Sequence, residues 1–400
     1  MSSNIKKEFL DLGRHPIANA FLQKEEDFKD EFLFDLKVCW DEETKLVSIK
    51  DFVEPERIFN KDYPYNTSNS FPMIQHFKNT AKMLDMKFQP KKVLEIGSNS
   101  GPFIENFSKD SSYCVEPCDN FAEVTGEMGY KTWTDFWTME LSNRIKNSVG
   151  KMDLIYAANC ICHIHDLDDT FRAVKNLLSE DGVFVFEDPS LLKILERGSY
   201  DQIYDEHPHI FSVTALDNIL RRNGLIIFDV DNLSVHGGSN RIYAKKPNVP
   251  SDNTVKESVR DNLLNEKLFR IHDFETYVEF AERVEKSKRE LIELLRGFKI
   301  NGKKVMSIGA TAKSTTVFNY CGIGTDLIDV ITDTTIDKQN TYSPGVHIPV
   351  VSPDEVNMID YDYAYLGAWN FKDVIIEKQR DFIKNGGKFI THVPNVMTFS

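Results

Sequence analysis

Residues 200–207, read Tyr-Asp-Gln-Ile-Tyr-Asp-Glu-His, hold two phenols, three carboxylates and an imidazole in eight positions. Phenol, carboxylate and imidazole span the range of protonation that general acid–base chemistry uses, and His207 is the member whose ordinary pKa lies closest to neutrality. A strip of this composition reads as a place where a proton is removed, with His207 as base, Glu206 to orient or tune it, and Tyr204 as a donor to developing negative charge.

A second chemical segment lies about a hundred residues earlier. Val93-Leu94-Glu95-Ile96 is an apolar strand ending in an acid, and Gly97-Ser98-Asn99-Ser100-Gly101 is a small-residue turn that is expected to open a helix. In an S-adenosylmethionine site such a turn lets the backbone approach the methionine part of the donor. An acid after the next strand takes the ribose hydroxyls, and a third acidic loop meets the adenine. The chain offers all three: Glu95, Gly97, Asn99 and Gly101 in the turn, Glu116 in C-V-E-P, and Asp135-Phe136 in T-D-F-W. Asn159, after the fourth strand, falls near the donor's sulfonium. A nicotinamide site would want G-x-G-x-x-G, and the turn is G-S-N-S-G. If the two glycines only allowed close packing, the later acids would go unexplained.

Two clusters resemble metal sites by composition, Cys160-Ile161-Cys162-His163-Ile164-His165 and Glu206-His207-Pro208-His209. Neighbouring residues on an extended segment point in opposite directions, and Pro208 interrupts any helical spacing, so neither is read as a metal site. His163 is expected to face the substrate and His165 the solvent, with Asp166 nearby.

A third segment, Ile308-Gly309-Ala310-Thr311-Ala312-Lys313-Ser314-Thr315, is a strand, a turn of small residues and a helix start. Free amides, helix dipole and Lys313 together could hold a diphosphate, with the Thr332-Asp333-Thr334-Thr335 loop extending the site. It lacks both the Walker spacing and the three glycines of a dinucleotide fingerprint.

These segments need a scaffold. Phe32, Phe34, Leu36, Val38 and Trp40 alternate at period two, and Leu46 to Val53 is the return strand, which makes a small β-rich unit of residues 1–68. Strands at Lys92 to Ile96, Ser112 to Val115, Leu154 to Ala157, Val183 to Phe186, Ile226 to Asp231 and Arg241 to Lys245 alternate with helices such as Asp168 to Leu178 and Thr214 to Asn223. That pattern predicts a Rossmann-like, mostly parallel sheet over 69–247, with ligands at the carboxyl ends of its strands. Residues 248–400 begin with a linker of Pro, Asn and Ser, continue as charged helices over Val255 to Phe298, and end in a second Rossmann-like pattern with strands from Lys304, Ile328, Tyr363 and Lys388.

Composition sets outer limits. Four hundred residues suggest two or three domains, and a net charge of -14 excludes a general nucleic-acid binder while leaving room for small anions in a local basic pocket. No apolar run approaches the ~20 residues of a membrane span, and the first residues lead to no signal-type core. Six scattered cysteines read as reduced thiols, so the expected setting is cytoplasmic, with no obligatory protein partner evident.

The chain resembles the bacterial nucleotide-sugar C-methyltransferases of the tetronitrose C-methyltransferase type. The resemblance is carried by E-F-L-D-L-G-R-H-P (8–16), Y-P-Y-N-T-S (63–68), I-Y-A-A-N-C-I-C-H-I (155–164), G-V-F-V-F-E-D-P (182–189), Y-D-Q-I-Y-D-E-H (200–207), V-H-G-G-S-N-R (235–241), G-A-T-A-K-S (309–314), C-G-I-G (321–324), D-T-T-I-D-K-Q-N (333–340) and P-G-V-H-I-P-V (344–350). It implies three units, an N-terminal zinc module, a donor-binding unit and a C-terminal unit that helps bind the nucleotide-sugar. It also implies methylation of carbon 3 on a 4-keto deoxysugar linked to a nucleoside diphosphate. His207 would be the base, with Tyr204, Glu206, His163 and Tyr63 or Tyr65 around the sugar. His236, Asn240 and Arg241, with Thr311, Lys313, Ser314, Asp333 and Thr334, would contact the substrate, and Arg241 could also donate to the oxyanion. Methylation of oxygen or nitrogen, or an inactive binding protein, are the alternatives.

The N-terminal module departs from this pattern. Where the family has two Cys-x-x-Cys pairs, residues 1–68 hold Cys39 alone. No structural zinc is expected, with Phe32, Phe34 and Trp40 taking over its burial.

Overall fold

The computed structural model describes residues 6–247 and 255–400. The proposed linker falls mostly in the stretch between them, and Ser2 to Ile5 also lie outside the described residues.

Three sheets organise the chain. The N-terminal one contains the expected hairpin, Leu33–Asp41 with Val47–Ile49, and a strand that the alternation did not reveal, Lys6–Pro16. Two register shifts in that strand break the period-two pattern by which it would have been recognised. The sheet's fourth strand, His209–Ile210, comes from just beyond the acid–base strip and pairs antiparallel with Val47–Ile49. Trp40 is buried against Phe274 and Tyr277. Phe32 is not part of that burial: it is 38% exposed, with the Arg57 guanidinium over its ring.

The central sheet has seven strands in the order Ile226–Leu233, Ser239–Lys245, Leu178–Pro189, Met152–Ala158, Val93–Ile96, Ser112–Val115, Lys131–Trp133. Only Ser239–Lys245 runs against its neighbours. The inner strands are apolar on both faces because helices and loops cover both, giving two separate clusters of buried side chains. Strand order turns at Val93–Ile96 and Met152–Ala158, so the loops after these two strands open onto the crevice where such sheets bind ligands. The glycine-rich turn does not open an α-helix as expected. Residues 102–111, which return the chain to the next strand, leave room only for the 3-10 turn Ile104–Asn106.

The C-terminal sheet has the order Thr341–Tyr342, Pro349–Val351, Ile331–Thr332, Val305–Ile308, Tyr363–Leu366, Lys388–Thr391, Met397–Phe399, parallel except at its two ends. Its order turns between Val305–Ile308 and Tyr363–Leu366. The charged helices are Glu257–Leu268 and Phe274–Ile300. The first packs on the central sheet, where Glu266 accepts from the amides of Val213 and Thr214 at 2.7 and 2.8 Å and so caps a helix start there. The second buries Val284, Leu291 and Leu295 in a cluster that also contains Leu10 and Trp40, Leu191 to Leu195, and Val305 to Val350. One interior is therefore shared by all three parts of the chain.

Candidate active site

The carboxyl ends of the central and C-terminal sheets face one cavity of about 1190 Å³. Small-molecule sites commonly run from roughly 300 to 1,000 Å³, so this one has room for two ligands side by side.

On the central side the cavity is lined by Glu95, Gly97, Asn99, Glu116, Phe136 and Asn159. Gly97 has φ +71, and a Cβ there would stand 2.8 Å from Cys160 Sγ, so only glycine fits without displacing the next loop. Glu116 holds the turn: its carboxylate accepts from the amides of Asn99 at 2.7 Å and Cys118 at 3.0 Å. Burial pushes the Glu116 carboxyl up, and these amides oppose the shift. Glu95 is also buried, accepts from the Ile104 amide at 3.1 Å, and is pushed well up by that burial.

Two residues proposed for this side lie off the cavity. Gly101 packs behind the turn, close to Thr125 and Met128. Asp135 turns outward to an ion pair with Arg144 at 2.7 Å, leaving Phe136 and Trp137 on the wall.

The acid–base strip lies between the two halves. His207 Nδ1 is 2.8 Å from the carbonyl of Gln202, and a carbonyl can only accept, so Nδ1 carries the proton. Nε2 therefore presents its lone pair, and the Tyr204 hydroxyl donates to it at 2.9 Å. Glu206 does not orient His207, contrary to the expectation. It accepts from Tyr63 OH at 2.8 Å and from Asn19 Nδ2 at 2.5 Å. Tyr63 is thus the phenol of Y-P-Y that meets the strip. Tyr65 sits at the cavity mouth, 39% exposed, its carbonyl accepting from Asn99.

The electrostatics also differ from the expectation that His207 titrates near neutrality. Burial pushes it down to about 3, with the Lys313 ammonium adding to the shift, so the ring is neutral and its one lone pair accepts from Tyr204. Tyr204 is pushed well above the ordinary phenol range by burial and by Glu206, and stays a proton donor. His163 stacks between Phe59 and His207, with centroids 5.3 and 5.2 Å away, and its buried Nε2 has no hydrogen-bond partner. His165 also lines the cavity, half-buried with its ring 4.6 Å from Phe52, and is not a purely solvent-side residue.

The two Cys/His clusters meet each other. Residues 161–163 form a 3-10 turn, which turns Cys162 and His163 to the same side, and their ligand atoms lie with that of His207 within 4.8 Å of one another. Burial and Asp188 push the Cys162 thiol well up, and His207 Nε2 is already engaged by Tyr204, which suits proton transfer better than metal ligation.

On the C-terminal side the diphosphate expectation needs correction. Three amides of the small-residue segment are not free: Ala310 donates to Asp333 Oδ2 at 2.7 Å, Thr311 to Ser314 Oγ at 3.0 Å, and Ser314 to Thr311 Oγ1 at 3.0 Å. Thr311 and Ser314 form a capping box, and Ser314 lies off the cavity. Asp333 holds the Ala310 and Thr335 amides, while Thr311, Lys313, Asp333 and Thr334 line the wall. Positive charge comes instead from two lysines. Lys313 makes no hydrogen bond or ion pair among the described residues, and burial lowers its pKa while Asp201 and Glu206 oppose that. Lys338, not singled out from sequence, donates to Ala310 O at 2.7 Å and lies 4.8 Å over the Phe21 ring, with Asp333 and Glu206 opposing its burial.

His236 lines the cavity, with φ +53 and a buried Nε2 lacking a partner. Asn240 and Arg241 do not line it. Their strand runs away from the crevice, Asn240 bonding Ser190 and Asn232, and Arg241 pairing with Glu187 at 2.8 Å and bonding Thr80 at 2.7 Å. Asn19 was also missed, since nothing in the N-terminal sequence marks a turn that reaches 187 residues forward.

A doubly wound sheet with this glycine turn, a buried acid after the next strand and this cavity has the form of an S-adenosylmethionine-dependent methyltransferase. Residues 73–229 match the "Methyltransferase domain" family, 234–394 the "C-methyltransferase C-terminal domain" and 2–59 the "Putative zinc binding domain". The chain is 32% identical over 406 residues to C-methyltransferase NovU of Streptomyces niveus, covering 98% of this chain and 94% of that protein. It belongs to the C-methyltransferase family. Among solved structures, an S-adenosylmethionine-dependent methyltransferase from Clostridium acetobutylicum ATCC 824 is 15% identical, covering 43% of this chain and 92% of that one, with a TM-score of 0.33. The CcbJ methyltransferase of Streptomyces caelestis is 12% identical over 52% of this chain and 99% of its own, with a TM-score of 0.34.

The residues of the N-terminal part do not fit the zinc that its family name implies. Cys39 is its single thiol, and burial pushes that thiol up. Among the described residues, the Cys162, His163 and His207 group, which lies elsewhere, is the one cluster with metal-ligating geometry.

Proposed function

We propose that this C-methyltransferase methylates carbon 3 of a 4-keto deoxysugar carried on a nucleoside diphosphate, by way of an enolate. The observation that carries the reading is the Tyr204–His207 pair, a neutral imidazole with its lone pair turned toward a phenol, in the same cavity as the donor turn. Methylation of oxygen or nitrogen needs no carbon acid and would make little use of such a pair.

Glu95, Gly97, Asn99, Glu116, Phe136 and Asn159 would hold the donor, which when bound supplies an electrophilic methyl group. The Tyr204 hydroxyl turns from His207 Nε2 to the sugar oxygen that gains charge, the freed Nε2 takes the proton from carbon 3, and His163 is a second donor to that oxygen. Tyr63 and Asn19 keep Glu206 beside the sugar. Lys313 and Lys338 face the diphosphate. Because the Lys313 ammonium helps to depress His207, a bound diphosphate that offsets that charge makes His207 a stronger base when the substrate arrives. The unpaired cysteines, five buried and Cys160 partly so, accord with a cytoplasmic setting.

The test is to incubate the protein with methyl-labelled S-adenosylmethionine and a panel of nucleoside-diphosphate 4-keto sugars, then locate the label by mass spectrometry and NMR. Label on carbon 3 supports the reading. Label on oxygen or nitrogen, or no transfer to any sugar, refutes it.

A further inference from the structure

Trp369 opens the 3-10 turn Trp369–Phe371, directly after strand Tyr363–Leu366 and the Gly367-Ala368 link. Ala368, Asn370 and Phe371 face the cavity on its C-terminal side. The indole is 8% exposed and donates through Nε1 to Asp201 Oδ2 at 2.5 Å. Asp201 is wholly buried in the turn Tyr200–Gln202, the turn whose Gln202 carbonyl fixes the proton on His207 Nδ1.

That hydrogen bond has no substitute. Asp201 Oδ1 has no hydrogen-bond partner, and His392 Nε2, 3.5 Å from it, has none either. His392 is held from behind by Tyr365, whose hydroxyl lies 2.8 Å from Nδ1. The indole ring also has little freedom to shift. A Cβ on Gly237 would stand 2.5 Å from its Cη2, so the ring rests directly on that backbone, one residue after the cavity-lining His236. Asp201 further supports the ammonium of Lys313.

One indole thus joins three segments: the loop facing the nucleotide half of the cavity, the His236 loop, and the strip carrying Tyr204 and His207. We propose that Trp369 is a positioning residue, and that its hydrogen bond to Asp201 couples filling of the nucleotide half of the cavity to the placement of the Tyr204–His207 pair. The proposal rests on the nucleotide-sugar reading above. A nucleotide that presses on Ala368 to Phe371 sets the indole, the indole sets Asp201, and Asp201 sets the turn that aims His207. Small misplacements of a catalytic group cost heavily, about 10²-fold for ~1 Å.

Trp369→Phe removes the N–H and keeps an aromatic ring. Expected are S-adenosylmethionine affinity within about twofold of wild type by calorimetry, KM for the nucleotide-sugar within about threefold, and kcat lowered about ten- to a hundredfold. In a double-mutant cycle, Asp201→Ala should cost far less in the Trp369→Phe background than in the wild type. Unchanged kcat in Trp369→Phe, additive losses, or a parallel loss of donor affinity would each overturn the coupling. If the variants do not fold, hydrogen–deuterium exchange on the wild type decides. Thymidine, uridine or guanosine diphosphate, whichever binds, should protect amides of 199–208, and unchanged exchange there on saturation would overturn the coupling. A wild type that binds none of these diphosphates and methylates no nucleotide-sugar sinks the underlying reading instead.

Discussion

The amide of Ala18 donates to Asp205 Oδ1 at 2.8 Å, joining the N-terminal turn to the acid–base strip. The carbonyl of the same residue accepts from Thr315 Oγ1 at 3.0 Å, in the helix that follows the C-terminal small-residue turn. Asn19, the next residue, holds Glu206. The N-terminal part is therefore a wall of the site, and the absence of zinc ligands in it does not make it dispensable.

Removing the base should separate chemistry from binding. His207→Asn is expected to lower methyl transfer by roughly 10²–10⁴-fold with donor affinity retained. With an unreactive donor analogue, the wild type should exchange the carbon 3 proton of the sugar with solvent deuterium, and the variant should not. Undiminished exchange in the variant would move the base to Tyr204 or Glu206.

Glu116→Ala should weaken S-adenosylmethionine by tenfold or more, since hydrogen bonds to a charged group are worth about 1.5–3 kcal/mol. The variant also frees the Asn99 and Cys118 amides, so the turn should exchange amide hydrogen faster. Calorimetry showing wild-type affinity would take Glu116 out of the donor site.

Lys313→Ala should raise the Michaelis constant for the nucleotide-sugar much more than that for the donor, because the lost contact acts in ground-state binding. It should also raise the pKa of His207, on which the ammonium acts. Equal effects on both substrates would assign Lys313 a structural part only.

Each buried histidine should cost stability as the solution is made mildly acidic, while the buried carboxyls pushed up by burial, Asp188 to about 7 among them, act in the opposite direction. Burial depresses His15 and His209 to about 4 and His207 to about 3. The unfolded chain then binds protons at these positions below pH ~6.5 while the folded chain does not, so the histidines' part of the stability is intact above that pH and is lost as pH falls toward the folded values. At pH 5.5 each should cost roughly 1.4 kcal/mol, from the ~1 unit by which the unfolded imidazole is already titrated. Melting curves of the wild type and His15→Gln between pH 7.5 and 5 check this: the variant should lose less stability as pH falls, and parallel profiles would contradict the burial of that ring.

Elemental analysis of the purified protein should find no stoichiometric zinc, and chelators should leave its fold intact. Zinc lost together with Cys39→Ser would overturn that expectation.

The central and C-terminal sheets were legible because their strands are apolar runs separated by amphipathic helices, and Tyr363–Leu366 falls where the pattern puts it. Lys6–Pro16 was not, since its register shifts scramble the alternation. Within the site, Glu116 and His163 announced themselves by residue type and by their positions after strands, and Tyr204 and His207 by residue type alone. Their partners did not. Gln202 acts through its carbonyl, Asn19 arrives from a distant turn, and Arg241 looks catalytic until its strand direction and the buried Glu187 are known. Which side of a strand end faces the crevice is decided by tertiary packing, and local sequence does not encode it.

The interior that contains Leu10, Trp40, Leu195, Leu291, Val305 and Ile348 as one cluster bears on how relatives can be recombined. A chimera that takes its C-terminal half from another relative, to change what the cavity accepts, cuts through this cluster whichever junction is used. The grafted half would bring its own shapes to a surface moulded for different ones, and the mismatch would be felt at Ala18 and Trp369. Exchanging the few residues of the C-terminal part that line the cavity, with the seam left native, is the more conservative route to altered specificity.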